Sequence, residues 1–360
     1  MIGNVILIPV IILFFSNACG QLYYATKLYK KFKEDHSIKN SIITGILWMI
    51  AGLLYPFYFS FEGSEILFFK ILSVFFICIF TPLLILAIIS YQYLFSVKKK
   101  DKIRKQKNIN QLLEDFEKNS QLANEEHSYS LKRDIYRKTL HLFPAGVIIL
   151  MWVFSVYVWD GMWNADKFWG INGEEFGKFL IITAGYSGIL IFAALDYLRL
   201  SYIFEKRNLV HLLPNNVLEI LSKSLKRQEF FEFTKPVALV LAFTPIFFFP
   251  FGIFCAAALI STIGDGAASI FGLKYGKTHF PKKSSKTIIG YIGGFLGSFL
   301  ISILSLIIFL PSTDFLKKSL IALIGAIAFL MTDLANLKID DNILNPLLAG
   351  ILMAIIFYIF

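Results

Sequence analysis

Charged residues are scarce in this sequence: Lys, Arg, Asp and Glu make up 17% of it, whereas hydrophobic residues make up 56%. An ordinary soluble domain contains about a quarter charged residues, so this composition excludes that class. Several apolar runs reach the roughly 20 residues that a helix needs to cross a bilayer. The composition therefore predicts an all-α, polytopic transmembrane helical bundle.

Cysteine is also rare, since the chain has only Cys19, Cys78 and Cys255. All three lie in apolar runs and have no paired spacing, which excludes a disulfide framework and a cysteine-based zinc site. The first apolar run has no basic residue before it and no clear small-residue cleavage site. We therefore expect a retained first helix rather than a signal peptide.

The apolar runs predict about ten spans, of which the sixth is short for a full crossing and is separated from the seventh by a Pro-Phe-Gly break. The predicted spans are 5–26, 41–61, 65–96, 139–158, 178–196, 236–250, 252–273, 287–310, 319–336 and 343–360. We expect three parts in the chain. They are a three-span region over 1–97, a charged cytoplasmic loop over 98–130 and a seven-span core over 131–360.

The net charge of +10 comes mainly from alternate loops. These basic loops are 27–40, 97–138, 197–235 and 274–286. Because short basic loops stay in the cytoplasm, this pattern places them there and makes a nucleic-acid partner unnecessary. Within 205–233, leucines and a valine recur at helical spacing between basic residues, which predicts a helix in the cytoplasmic interface. We expect the polar loop 98–138 to be helical and solvated.

The seventh apolar run contains an acid, Asp265, between Gly264 and Gly266. A carboxylate inside a membrane segment costs about 2.5–3.5 kcal/mol on insertion scales, so such a residue is by default a candidate functional site. The flanking glycines would let a ligand approach the backbone closely. The following segment 272–278 is one residue short of a phosphate-binding P-loop and follows a helix rather than a strand, which excludes that motif.

Two basic clusters flank this acid in the sequence. Arg137 and His141 are four residues apart, so they share a helix face, and Lys138 lies beside them. Arginine and lysine side chains of this kind suit phosphate oxygens, although ordinary basic flanking of a span is the alternative. The second cluster is a candidate phosphate clamp. The alternative is that its lysines only mark a cytoplasmic loop and that its glycine only allows close helix packing. It consists of Lys282, Lys283, Lys286, Thr287 and Gly290.

Two further motifs lie on the same predicted face. Asp340, Asp341 and Asn342 precede the last span and offer oxygen ligands of the kind that magnesium prefers, although two acids in a polar loop are commonplace. Asp196 and Arg199 are three residues apart at the end of the fifth span. This spacing favours a structural ion pair over a role in positioning a headgroup or nucleotide.

The ordered set of motifs resembles the polyprenol kinase family, which includes dolichol kinases, phytol kinases and CTP-dependent diacylglycerol kinases. The likeness covers about 131–360. It is carried by Arg137-Lys138-x-x-His141, Asp196-x-x-Arg199, Gly264-Asp265 with Ala267 and Ala268, Gly272, Gly276, Lys286-Thr287-x-x-Gly290, and Asp340-Asp341-Asn342 with Pro346. There are four departures. They are Asp134 and Asp333 where the family has Glu, Ile289 where an acid often stands, and Lys235-Pro236 where a small residue is expected.

The resemblance implies a kinase that transfers the γ-phosphate of CTP to a lipid alcohol, either a polyprenol, dolichol or a shorter isoprenoid alcohol. Its products would be CDP and a lipid monophosphate, and its cofactor Mg²⁺ or another divalent cation. Asp265 would bind the metal and orient or deprotonate the alcohol, and His141 would bridge phosphate and alcohol. Asp340 and Asp341 would be further metal ligands, with Asn342 in support. The nucleotide phosphates would be held by Arg137, Lys138, Lys282, Lys283, Lys286, Thr287 and Gly290, near Gly264 and Gly266.

Two alternatives remain at the level of sequence. A cytidylyltransferase would use the same nucleotide and metal but would form a CDP-lipid and release pyrophosphate. A transporter would use Asp265 as a coupling site. The transporter is disfavoured because the ionisable motifs lie at one predicted face, the cytoplasmic one, rather than at the membrane midplane.

Overall fold

The computed structural model describes residues 5–31, 38–59, 66–97, 114, 127–205, 207, 209–214, 216–217, 232–282, 286–335, 337 and 339–360. Ten principal helices account for most of them. They are α1 Ile8–Lys31, α2 Ile38–Leu54, α3 Ile66–Phe95, α4 His127–Val153, α5 Gly173–Glu205, α6 Lys235–Ile246, α7 Phe251–Tyr275, α8 Ile288–Phe309, α9 Phe315–Ala335 and α10 Asp341–Ile359. Among these described residues, β pairing is limited to an isolated bridge between His279 and Thr287.

In the described part of the chain, nine helical segments are long and apolar enough to cross a membrane. The prediction of an all-α, multi-pass membrane protein is thereby confirmed, but within the described residues nine rather than ten of the predicted spans correspond to such helices. The difference is α6, which has 12 residues and covers only about 18 Å at 1.5 Å per residue. The helix ends early because 247–249 form turns and Pro250 has an extended ψ of 139°.

The chain forms two compact units, and unit 1 comprises Met1–Leu122 and Leu150–Val240. Aromatic side chains of α1, α2 and α5 pack together in its interior, with Phe14 against both Trp48 and Tyr186. Their polar atoms are satisfied, since Trp48 Nε1 donates to Gln21 Oε1 at 2.9 Å and the Tyr186 hydroxyl donates to Ala51 O at 2.9 Å. Such pairing removes the cost of burying a polar group in an apolar bundle.

One end of unit 1 carries a small ionic cluster around Glu205, the last residue of α5. The Glu205 carboxylate accepts a hydrogen bond from the Tyr23 hydroxyl at 3.1 Å and pairs with Lys27 Nζ at 3.4 Å. Arg207 lies 3.3 Å from its other oxygen. The cluster joins the end of α5 to α1.

Unit 2 comprises Ala123–Ile149 and Leu241–Phe360, and so contains the first part of α4 together with α7 to α10. Helix α8 packs against α7 and α9, and α9 packs against α10. Small residues make the α7–α8 contact close: a Cβ on Gly297 would lie 2.8 Å from Ala267 Cβ, and one on Gly294 2.8 Å from Ala268 Cβ. Both glycines therefore serve helix packing, because small residues let two helix backbones approach each other closely.

Candidate functional site

Asp265 lies where the hydrogen-bonding pattern of α7 changes. Residues Ile260–Gly264 form a π-helical segment, and the Asp265 N–H donates to the carbonyl of Ile260, five residues back. The segment packs against α8, α9 and α10, so neighbouring helices fix its shape. Such π segments recur at functional sites because they redirect a side chain within an otherwise regular helix.

The two glycines beside Asp265 face different surroundings. A Cβ on Gly264 would lie 2.2 Å from Ser298 Oγ, so this glycine permits the close approach of α8. The nearest atom to a Cβ on Gly266 would be Lys138 Cβ, at 4.0 Å. Helix packing therefore accounts for Gly264 without a ligand, whereas Gly266 faces the helix that carries one of the predicted phosphate-binding residues.

Lys138 and Asp265 form an ion pair that joins α4 to α7, although 127 residues separate them in sequence. The two side chains keep 18% and 20% of their exposure, so the pair is sheltered but not sealed from solvent. Sequence reasoning predicted both residues for the site without predicting their contact. Arg137 and His141 belong to the same helix, but their side chains lie outside the described residues.

The basic loop before α8 folds back on itself. Phe280 N donates to Lys286 O at 3.1 Å, and Ile288 N donates to Thr278 O at 3.1 Å. The Tyr291 hydroxyl then fastens the loop to α8 by donating to Phe280 O at 2.9 Å. These bonds fix the position of Lys286 at the end of the loop.

Two other predicted phosphate-binding residues of this loop, Thr287 and Gly290, have structural roles. Thr287 is the N-cap of α8, and its hydroxyl accepts a hydrogen bond from Gly290 N at 3.2 Å. A Cβ on Gly290 would lie 3.0 Å from Ala268 O, so this glycine also permits close helix packing. Lys282 is exposed, and Lys283 lies outside the described residues.

Lys286 forms the second ion pair of unit 2, with Asp333 near the end of α9. The ammonium also donates to Asp333 O at 3.2 Å. The Asp333 side chain is 12% exposed, and that of Lys286 is 35% exposed. The motifs of the sequence do not assign Asp333 to the site. The signal that singles out Asp265, an acid inside an apolar helix, would also have identified it.

A third carboxylate belongs to the same group. Asp265 and Asp341 both lie within electrostatic range of the Asp333 carboxylate. Asp340 is the N-cap of α10, and its Oδ1 accepts bonds from Asn342 N at 2.9 Å and Asn342 Nδ2 at 2.8 Å. Asn342 also contacts Asp341 Oδ1, so the amide is directed at its two acidic neighbours.

The carboxylates do not form a metal cage of their own. Among the residues with described positions, no three His, Cys, Asp or Glu side chains come together in a way that would hold a metal ion. Magnesium usually binds through one or two protein carboxylates together with substrate phosphates and water. The carboxylates that lie near one another would thus need phosphate or water oxygens to complete a magnesium site.

The Asp196–Arg199 motif belongs to unit 1 and is a buried clamp. Arg199 Nη2 donates to Asp196 Oδ1 at 2.7 Å and also to Glu232 O. Asp196 Oδ2 accepts from Thr234 N at 2.7 Å and from Thr234 Oγ1 at 2.9 Å. The predicted structural ion pair is confirmed, and it holds the end of α5 to the residues that lead into α6.

Searches against protein-family models, curated proteins and solved structures find no match to this chain. The resemblance to polyprenol kinases therefore stays a prediction. Unit 2 contains a group of oppositely charged side chains that pair with one another or lie within electrostatic range. Its members are Lys138 of α4, Asp265 of α7, Lys286 before α8, Asp333 of α9 and Asp341 of α10. Such a group has cation and anion partners for both parts of a metal–polyphosphate complex.

Proposed function

We propose that the chain is an integral membrane kinase that transfers the γ-phosphate of CTP to a lipid alcohol, giving a lipid monophosphate and CDP. One observation carries the proposal: unit 2 contains two lysine–aspartate pairs from widely separated parts of the chain, and Asp265 and Asp341 lie within electrostatic range of Asp333. Phosphoryl transfer depends mainly on positioning and charge neutralisation, and this group has the residues for both.

The residues divide by charge in the proposed reaction. Lys138 and Lys286 bind phosphate oxygens of the nucleotide, because an ammonium is a compact cation with three donors. Asp265 orients the hydroxyl of the lipid alcohol and accepts its proton. Asp333 and Asp341 would contribute oxygens to a magnesium ion that arrives with CTP, and such an ion would neutralise charge on the phosphates.

The location of the group suits substrates of different solubility. Asp265 lies on an apolar helix, yet its side chain keeps 20% of its exposure. Nearby Phe271 of α7 and Ile292 of α8 are 45% and 53% exposed, and apolar residues of this kind contact acyl or isoprenoid chains in a bilayer. A lipid hydroxyl and a water-soluble nucleotide would meet at such a place, which the basic loops predict to be the cytoplasmic face.

The test uses the purified full chain in liposomes with CTP labelled at either the γ or the α phosphate. Dolichol, phytol, geranylgeraniol and diacylglycerol are supplied separately, and ATP replaces CTP in a parallel set. We expect the γ label in a lipid monophosphate and the α label in CDP. An α label in the lipid, with γ label in pyrophosphate, would identify a cytidylyltransferase instead. No label in any lipid from either nucleotide would contradict a lipid kinase.

A further inference from the structure

In each lysine–aspartate pair of unit 2, the two opposite charges compensate each other before any ligand binds. Lys138 neutralises Asp265, and Lys286 neutralises Asp333. We infer that both pairs open when a magnesium nucleotide binds, so that the site takes metal and nucleotide together and disfavours either one alone. This inference rests on the proposed function and concerns how that same site selects its substrate.

Free CTP would meet an unfavourable site. To reach its phosphates, Lys138 and Lys286 must leave their aspartates, which would then be unpaired beside a polyanion. Asp341 would add to the repulsion, because it already lies within electrostatic range of Asp333. A sheltered charge without its partner is costly, so part of the binding free energy of CTP would be lost.

A free magnesium ion would meet the converse problem. It prefers carboxylate oxygens, but to bind them it must displace both ammonium groups and remain close to them. When metal and triphosphate arrive together, the carboxylates turn to the cation and the lysines to the phosphates. Each charge then keeps an opposite partner, and binding of one ligand favours binding of the other.

The pairs are built in a way that permits this exchange. Each lysine comes from a different segment than its aspartate, and the four side chains keep between 12% and 35% of their exposure. Lysine carries its charge on a flexible stem, so the ammonium moves without displacing a helix. Lys286 is also at the end of a loop, while the carbonyl of Asp333 remains a local acceptor for it.

The test measures equilibrium binding of labelled CTP to the full chain in detergent, with magnesium and with a chelator. For the wild type we expect magnesium to strengthen CTP binding by about 10-fold or more, within the usual range of about 5- to 150-fold for coupled ligands. In Asp333→Asn the ammonium of Lys286 no longer faces a carboxylate, so metal-free CTP should bind about 10-fold more tightly than to the wild type. The enhancement by magnesium should shrink by more than that factor, because Asp333→Asn also removes a proposed oxygen ligand of the ion.

A matched control is available at the other end of α9. Asp314 accepts hydrogen bonds from Leu316 N at 2.8 Å and Lys317 N, and Asp314→Asn should leave metal-free CTP binding unchanged. Lys286→Met is the second variant and keeps the test open if Asp333→Asn does not fold. It leaves Asp333 without its ammonium, so Mn²⁺ should bind more tightly in the absence of nucleotide.

The outcomes separate the two proposals. Binding of magnesium CTP by the wild type, with metal-free affinity unchanged or weakened in Asp333→Asn, would overturn the exchange and leave the kinase in place. An unchanged affinity of Lys286→Met for Mn²⁺ would also overturn the exchange. If the wild type binds CTP neither with magnesium nor without it, both the proposed function and this inference are wrong.

Discussion

The buried ion pair of unit 1 and the two lysine–aspartate pairs of unit 2 use the same chemistry in different surroundings. In unit 1, Asp196 and Arg199 keep only 2% and 1% of their side-chain exposure. The aspartate accepts three hydrogen bonds, one from the guanidinium of Arg199 and two from Thr234. In unit 2, the two lysine–aspartate pairs stay between 12% and 35% exposed. A sealed pair with several further hydrogen bonds holds helices together, whereas a partly open lysine pair remains able to change partners.

The largest effect should come from removing the acid at the π segment. Asp265→Asn deletes the proposed proton acceptor, so we expect turnover in the labelled CTP assay to fall by about 10²–10⁴-fold. The melting temperature should fall by much less than in Arg199→Met, because the side chains of Lys138 and Asp265 keep 18% and 20% of their exposure. Asp314→Asn serves as the control with full turnover. Turnover of Asp265→Asn within a few-fold of the wild type would remove this residue from catalysis.

The buried Asp196–Arg199 pair should show the opposite result, with stability lost and turnover retained. Arg199→Met leaves Asp196 as a buried charge without its guanidinium, so we expect the free energy of unfolding to fall by about 3–5 kcal/mol. Thermal unfolding in detergent measures the loss, and turnover per folded molecule should be retained. Arg199→Lys is the control: it restores the charge without the planar fork and should recover only part of the stability. Normal stability with lost turnover would place the pair in the reaction instead.

The smallest effect should come from the partly exposed cluster at the end of α5, where the Tyr23 hydroxyl is a second partner of Glu205. The side chain of Lys27 is 31% exposed, and the Tyr23 hydroxyl would still bond Glu205 after Lys27→Met. Because exposed ion pairs often contribute nothing measurable, we expect no resolvable change in melting temperature, and any small change should vanish in high salt. A loss of stability comparable to that of Arg199→Met would show that exposure does not separate these classes of pair.

The helical architecture follows from the sequence because membrane helices need long apolar runs, and such runs are visible without a structure. Their ends are less visible. Helix α5 runs from Gly173 to Glu205, well beyond the apolar stretch 178–196, and α4 begins at His127 rather than 139. Polar turns continue a helix outside the hydrocarbon without an apolar signal. Most of the predicted interfacial helix within 205–233, and most of loop 98–130, lie outside the described residues.

The site was predictable as a set of residue types but not as a set of contacts. Asp265, Lys138 and Lys286 stand out because charges near apolar runs are costly. Their pairing depends on how α4, α7 and α9 pack, and 127 and 47 residues separate the partners. The roles of Thr287 and Asp340 as helix caps were equally hidden, because capping is decided where a helix begins in space.

The π segment Ile260–Gly264 has a consequence for the angular position of Asp265 around α7. A π turn holds one residue more than an α turn, and one residue corresponds to about 100° around a helix. The phase of Asp265 is therefore offset from the one that Phe251–Leu259 would give by simple counting. Deleting a single residue within the segment would restore the regular phase and turn the carboxylate away from Lys138, with the apolar character of the helix almost unchanged. The direction of the Asp265 side chain is thus set by the hydrogen-bond register of the backbone. Residue types alone do not reveal that register.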